Sequence, residues 1–152
     1  MNSSINIVLT KIKLKLNSAF SAYENDFKLK VEINDKTETA NVNGALFITY
    51  KGEKVSENLT KNNKLFFLKR YINIEILGVI KENNKTKLND YIDLILNEIS
   101  GLKTADGLGI NYIMPSSISV IEQDEYENYR FKVNVISPID FNFNGEIDNV
   151  DN

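Results

Sequence analysis

The sequence predicts an α+β domain: a single, mostly antiparallel sheet of about five strands with two helices packed on one face, in the order α-β-β-β-α-β-β. Three observations carry this. Apolar residues recur at spacings of three and four in two stretches, alternate every second residue in others, and form one short, nearly continuous run at Ala45-Leu46-Phe47-Ile48-Thr49-Tyr50. A helix buries a stripe and a strand buries alternate positions, so these periods separate the two element types.

Ser3 and Ser4 are good N-cap residues, and Ile5, Val8, Leu9, Ile12 and Leu16 follow on one helical stripe, which predicts a helix over 5–18. The stretch Lys11-Ile12-Lys13-Leu14-Lys15-Leu16 also alternates like a strand, but the helical stripe is longer and decides the assignment. Over 27–33, Phe27, Leu29, Val31 and Ile33 alternate with Lys28, Lys30 and Glu32, the pattern of a strand with one wet face. The apolar run after Gly44 reads as a central strand buried on both faces. Residues 51–63 contain Gly52, Ser56 and three Asn and read as a polar contact loop. A long strand is expected over 64–80, with Phe66, Leu68, Ile72, Ile74 and Ile76 on one face, Lys69, Tyr71, Asn73 and Glu75 on the other, and Arg70 interrupting the apolar side.

Leu88, Tyr91, Ile92, Ile95, Leu96 and Ile99 predict a second helix over 87–100, with Gly101 as its C′ stop. Strands over 117–122 and 126–136 flank Gln123-Asp124-Glu125, which reads as a hairpin, and Pro138 is expected to end the last strand. Residues 1–140 form one domain in this reading, and 141–152 an acidic, Asn-rich flexible tail.

Composition narrows the function. The chain has 152 residues, no His, no Cys and no Trp, so the side chains that most often do catalysis or bind transition metals are missing. Length and a hydrophobic share of 42% suffice for a self-standing core. A net charge of −3 argues against general attraction to nucleic acid or an anionic membrane. There is no signal-peptide pattern at the N-terminus and no apolar run of membrane-spanning length, so the expected location is the cytoplasm.

Four constellations bear on chemistry. Glu122, Asp124, Glu125 and Glu127 offer carboxylate oxygens to a hard cation, but without the Gly-containing spacing of a calcium loop they read as a solvated hairpin tip. Asp106-Gly107-Leu108-Gly109 precedes a strand instead of opening a helix, so it cannot cradle a phosphate as a dinucleotide loop does. Lys11, Lys13, Lys15, Lys28 and Lys30 form a local basic group without the aromatic and arginine content of a nucleic-acid surface. No pair of carboxylates stands out for glycosidic chemistry. The chain is therefore expected to be neither an enzyme nor a metal or cofactor binder, and to act through its surfaces.

The segment Asn43-Gly44-Ala45-Leu46-Phe47-Ile48-Thr49-Tyr50-Lys51-Gly52 resembles the signature of Mu-like contractile phage tail terminator (tail completion) proteins, in which N-G-A-L leads into an apolar strand followed by Tyr, any residue and Gly. The surrounding order agrees: an amphipathic helix and strand before it, then a long strand, a helix like Tyr91-Ile92-Asp93-Leu94-Ile95, an acidic hairpin over 122–129, and a last strand like Phe131-Lys132-Val133-Asn134-Val135. The similarity spans about residues 5–139. The chain departs from it in Lys81-Glu82-Asn83-Asn84-Lys85, where the family has a basic, Gly-rich link, and in the tail after Phe141.

The resemblance implies a ring-forming structural protein, a hexamer, that caps the head-proximal end of a contractile phage tail or of a tail-like bacteriocin or injection particle and ends tube and sheath polymerisation. Its partners would be other copies of itself, the tube and sheath proteins and a head connector or collar protein. It would have no membrane contact, and DNA would be met only through the ring lumen. It would assemble in the bacterial host cytoplasm and end in the virion or particle. The alternatives are a head–tail neck or connector protein, or a small protein-binding regulatory domain. A closed ring needs two different complementary patches on each copy. Asn43, Gly44, Tyr50 and Gly52 are expected to shape the signature strand and its loop, with Gly44 the candidate for a positive backbone angle, where Gly44→Val would harm folding. Lys54, Glu57, Tyr71, Asn73, Glu75, Glu122, Asp124 and Glu125 are the candidate contacts.

Overall fold

The computed structural model describes residues 4–21, 29–33, 44–55, 60–62, 65–80, 85–102, 112–121 and 129–144. They form α1 (Ser4–Ser21), β1 (Leu29–Ile33), β2 (Gly44–Val55), β3 (Thr60–Asn62), β4 (Leu65–Ile80), α2 (Lys85–Ile99), β5 (Met114–Ile121) and β6 (Tyr129–Asn144). The predicted α+β class holds, with one additional short strand, β3.

α1 buries Val8, Leu9, Ile12, Leu16 and Phe20, and Leu14 is 64% exposed. Ile12, Leu14 and Leu16 would share a face only in a strand, so the exposure of Leu14 is the consequence of the helical period winning. Phe20 extends the stripe one turn past the predicted end, where its ring meets Tyr91 of α2 with centroids 6.0 Å apart. α2 buries Leu88, Tyr91, Ile92, Ile95 and Ile99. It stops as expected at Gly101, whose φ is 77°. There the Gly101 amide donates to the Ile113 carbonyl and the Ile113 amide to the Leu102 carbonyl, both at 2.9 Å, so the approach to β5 is tied to the helix end.

The sheet runs β1-β2-β4-β6-β5, with β3 beside β4. β1 pairs parallel with β2, and the other pairs are antiparallel. Leu46, Ile48, Ile72, Ile74, Ile76, Ile80, Tyr129, Phe131, Val133, Val135 and Ile139 share one core with both helices. Ala45, Phe47 and Val79, with Leu77, form a separate small cluster on the opposite side, which is helix-free among the described residues. The prediction that the central strand is buried on both faces therefore holds for Ala45–Ile48, and it closes one end of the helix-free face.

Four expectations are corrected. β2 does not give way to a loop after Tyr50: a register shift between Tyr50 and Glu53, with Gly52 at φ 95°, lets it continue to Val55. Gly52 absorbs the extra residue of a bulge, a backbone conformation available to glycine at little cost. Positive φ belongs to Gly52, whereas Gly44 enters the ladder in register with Leu29 and Ile80. Pro138 does not end β6, which pairs with β4 through Asn144, and residues 141–144 are thus strand and not tail. β5 pairs with β6 only up to Ile136, so beyond it β6 has a single neighbour among the described residues, and a residue without an amide hydrogen is tolerated there. Residues 145–152 lie outside the described residues.

Ser137 is fully buried on the helix-facing side of β6, opposite Ile72, and its Oγ has no hydrogen-bond partner among the described residues. A buried hydroxyl without a partner costs stability. Ser137→Ala is expected to raise unfolding free energy by about 1 kcal/mol in urea denaturation; a loss of similar size would mean that the hydroxyl is bonded in solution.

Candidate functional site: an open sheet face and an uncovered edge

The alternation of β4 and β6 dictates which side chains the helices leave uncovered. Tyr71, Asn73 and Glu75 fall out of phase with Ile72, Ile74 and Ile76, as predicted, and register brings Lys54 of β2 opposite Tyr71 and Asn134 of β6 opposite Glu75. These positions are half-buried to exposed. Glu75 is held between two cations: Lys51 Nζ is 3.9 Å from Oε1 and Lys132 Nζ 3.9 Å from Oε2. Its side chain is 15% exposed, so Glu75 organises the face more than it projects from it.

Tyr50 and Gly52 lie apart from this face, at the β2 bulge. Tyr50 is on the helix side of β2, in register with Ile74, and its hydroxyl donates to Glu53 Oε1 at 3.1 Å. Glu53 in turn accepts two bonds from Arg70, Nε to Oε2 at 2.6 Å and Nη2 to Oε1 at 2.8 Å. This planar fork-to-fork arrangement is the strong form of the arginine–carboxylate pair. Arg70 holds the Glu53 carboxyl below the ordinary carboxylate range, and Glu53 raises Arg70 in return. Partial burial, then the Glu53 carboxylate, raises the Tyr50 hydroxyl. The cluster clamps β2 to β4 just past the Gly52 bulge. Glu53 was absent from the expected site residues. The sequence signal for it was Arg70 at an apolar phase of β4, which demands a carboxylate nearby.

Asn43, Glu57, Glu122, Asp124 and Glu125 lie outside the described residues, as do the 103–111 glycine loop and the acidic hairpin tip. No group of three or more metal-ligating side chains occurs among the described residues. No described helix is long and apolar enough to cross a membrane.

β5 is the second notable surface. It is the last strand of the sheet order, and every residue from Met114 to Val120 is exposed, including Met114 at 50%, Ile118 at 46% and Val120 at 48%. By register Ile118 and Val120 stand beside Val133 and Phe131, on the side the helices cover elsewhere. The helix layer therefore ends before the sheet does.

The chain shares its fold with a protein of a gene transfer agent virion. That solved structure, described as the virion of a native gene transfer agent (GTA) particle, aligns over 93% of this chain and 100% of its own, with a TM-score of 0.58 and 6% identity. At that identity the likeness is one of fold. Neither a protein-family model nor a curated protein sequence matches the chain.

Proposed function

We propose that the chain is a structural component of a phage-like particle, and within it a ring-forming tail terminator that caps the head-proximal end of a contractile tail and ends tube and sheath growth. The observation that carries the proposal is the fold shared over 93% of the chain with a chain of a virion, in a sequence that independently resembles contractile tail terminators around Gly44 to Gly52. A cap needs surfaces and no bond-making step, and this chain is proposed to be no enzyme. The open sheet face and the β5 edge are the surfaces available. Its partners in this reading are further copies of itself, tube and sheath proteins and a head connector, and its location is the assembling particle.

The charge of the open face favours a second reading, a neck or connector that touches DNA. By register it carries Lys51, Lys54, Lys69, Arg130 and Lys132 against Glu75 and Asp140, the latter opposite Lys69, in a chain that is acidic as a whole. A ring would bring such faces close together and focus their potential.

Light scattering across concentration and salt, followed by negative-stain imaging, tests the proposal. The expected result is a hexameric ring which, added to polymerising tails, stops their growth. A protein that neither assembles nor alters tail length would overturn it. Tight, salt-sensitive DNA binding without any effect on tails would favour the neck reading.

A further inference from the structure

We infer that the sheet is completed between copies: β5 of one chain takes β1 of a second copy as its next strand. The inference rests on the ring reading above and specifies the interface that reading leaves open.

The main strand order ends at β1 and at β5, and among the described residues each has a single strand neighbour, as does the three-residue β3 beside β4. An outer strand presents a row of backbone amides and carbonyls at strand spacing, which extended backbone satisfies best. Proteins that keep such an edge solitary protect it with charge, proline, a bulge, shortness or a covering element. In β5, Pro115 and the register shift between Pro115 and Ser117 blunt the beginning. Ser117–Ile121 has none of these devices: its sequence carries no charge, and its described positions, 117–120, are exposed.

The two edges match in pattern as well. On β5, Ile118 and Val120 align with Val133 and Phe131 on the helix side, while Ser117 and Ser119 align with Asn134 and Lys132 on the helix-free side. On β1 the register sets the apolar positions Leu29, Val31 and Ile33 against Gly44, Leu46 and Ile48 and the charged positions Lys30 and Glu32 against Ala45 and Phe47. Laid edge to edge, apolar positions continue the core layer and charged positions meet hydroxyls. Pairing β5 with another β5 would also match in polarity, but it is isologous and closes as a two-fold dimer, whereas a ring needs two different patches.

The chain has no cysteine, so introduced thiols are the only ones present. Ser119→Cys, combined with Lys30→Cys or with Glu32→Cys, places thiols on the helix-free side of both edges, and neighbouring strands bring opposed Cβ atoms to about 4.5–5.5 Å, near disulfide range. Mild oxidation of the full-length protein is expected to give a ladder of covalent oligomers from at least one double variant and monomers from each single one. Ile118→Lys with Val120→Lys, at exposed positions, is expected to leave the circular-dichroism melt within a few degrees of wild type and to reduce the assembly to monomer. A wild-type ring with no ladder from either pair, or a ring that survives both lysines, overturns the strand pairing and leaves the ring reading standing. A covalent dimer from Ser119→Cys alone also overturns it, since β5 would then face β5. A ladder from open-ended polymers with no closed ring keeps the pairing and sinks the ring. A wild type that is monomeric at every concentration, together with no ladder from either double variant, overturns both.

Discussion

Gly78→Ala is expected to destabilise the fold by about 3 kcal/mol, at the upper end for overpacking a core. Gly78 lies in β4 directly across from Phe131 of β6. A Cβ there would run into the Phe131 ring at Cε1, Cζ and Cδ1. Phe131 is fully buried and belongs to the core that both helices share, so the ring has no open space to swing into. Either the ring leaves its rotamer or the two central strands separate, and both propagate because β4 and β6 are partners over their whole length. Urea denaturation measures the loss. Phe131→Leu in the Gly78→Ala background is expected to recover part of it, whereas Phe131→Leu alone destabilises; the non-additivity isolates the contact. A Gly78→Ala protein within about 0.5 kcal/mol of wild type would mean that the ring does not cover the glycine.

Arg70→Ala is expected to cost about 2–3 kcal/mol at neutral pH, because it leaves the Glu53 carboxylate without its two charge-assisted donors. The side chains are only 23% and 21% exposed, so water compensates in part. Arg70→Met with Glu53→Gln is expected to cost less than Arg70→Ala, since no unpaired charge remains. The pair also sets a pH dependence. The Glu53 carboxyl titrates below its ordinary 4.5 in the folded state, chiefly through the Arg70 bonds, so the unfolded chain binds the proton first. The stabilisation is therefore complete above about pH 4.5 and is lost as pH falls through the depressed folded value. Tyr50 has the opposite sign: its hydroxyl is raised above 10.0, so its contribution is complete below that pH and fades as pH rises through the folded value. Glu53→Gln should flatten the acid limb of a stability–pH curve measured between pH 3 and 7; an unchanged limb would remove the Glu53–Arg70 pair from the account.

Element type was legible wherever one period dominated. The stripes of α1 and α2 and the alternation of β4 could be read directly, because burial against a single layer imposes a single period. The same alternation put Tyr71, Asn73 and Glu75 on the uncovered face. The reading failed at Gly52 and Pro138, both for the same reason. Each residue was taken for a strand terminator on its local chemistry, yet a bulge uses the glycine's positive φ to keep β2 going, and a strand with one neighbour tolerates the proline. Local propensity says what a residue permits, and the ladder beside it decides which permission is used.

Alone, the sequence determined the α+β class, both helices, the two-sided burial of Ala45–Ile48 and the polar phase of β4, since these depend on the order of apolar and polar residues along the chain. Tertiary structure decided the sheet order, the parallel pairing of β1 with β2, the Tyr50–Glu53–Arg70 clamp, the contact of Gly78 with Phe131 and the exposure of β5. Each of these joins residues far apart in the chain or depends on how far the helix layer reaches. Ile118 and Val120 look in sequence like any buried strand residues; they are exposed because the helices end before the sheet does.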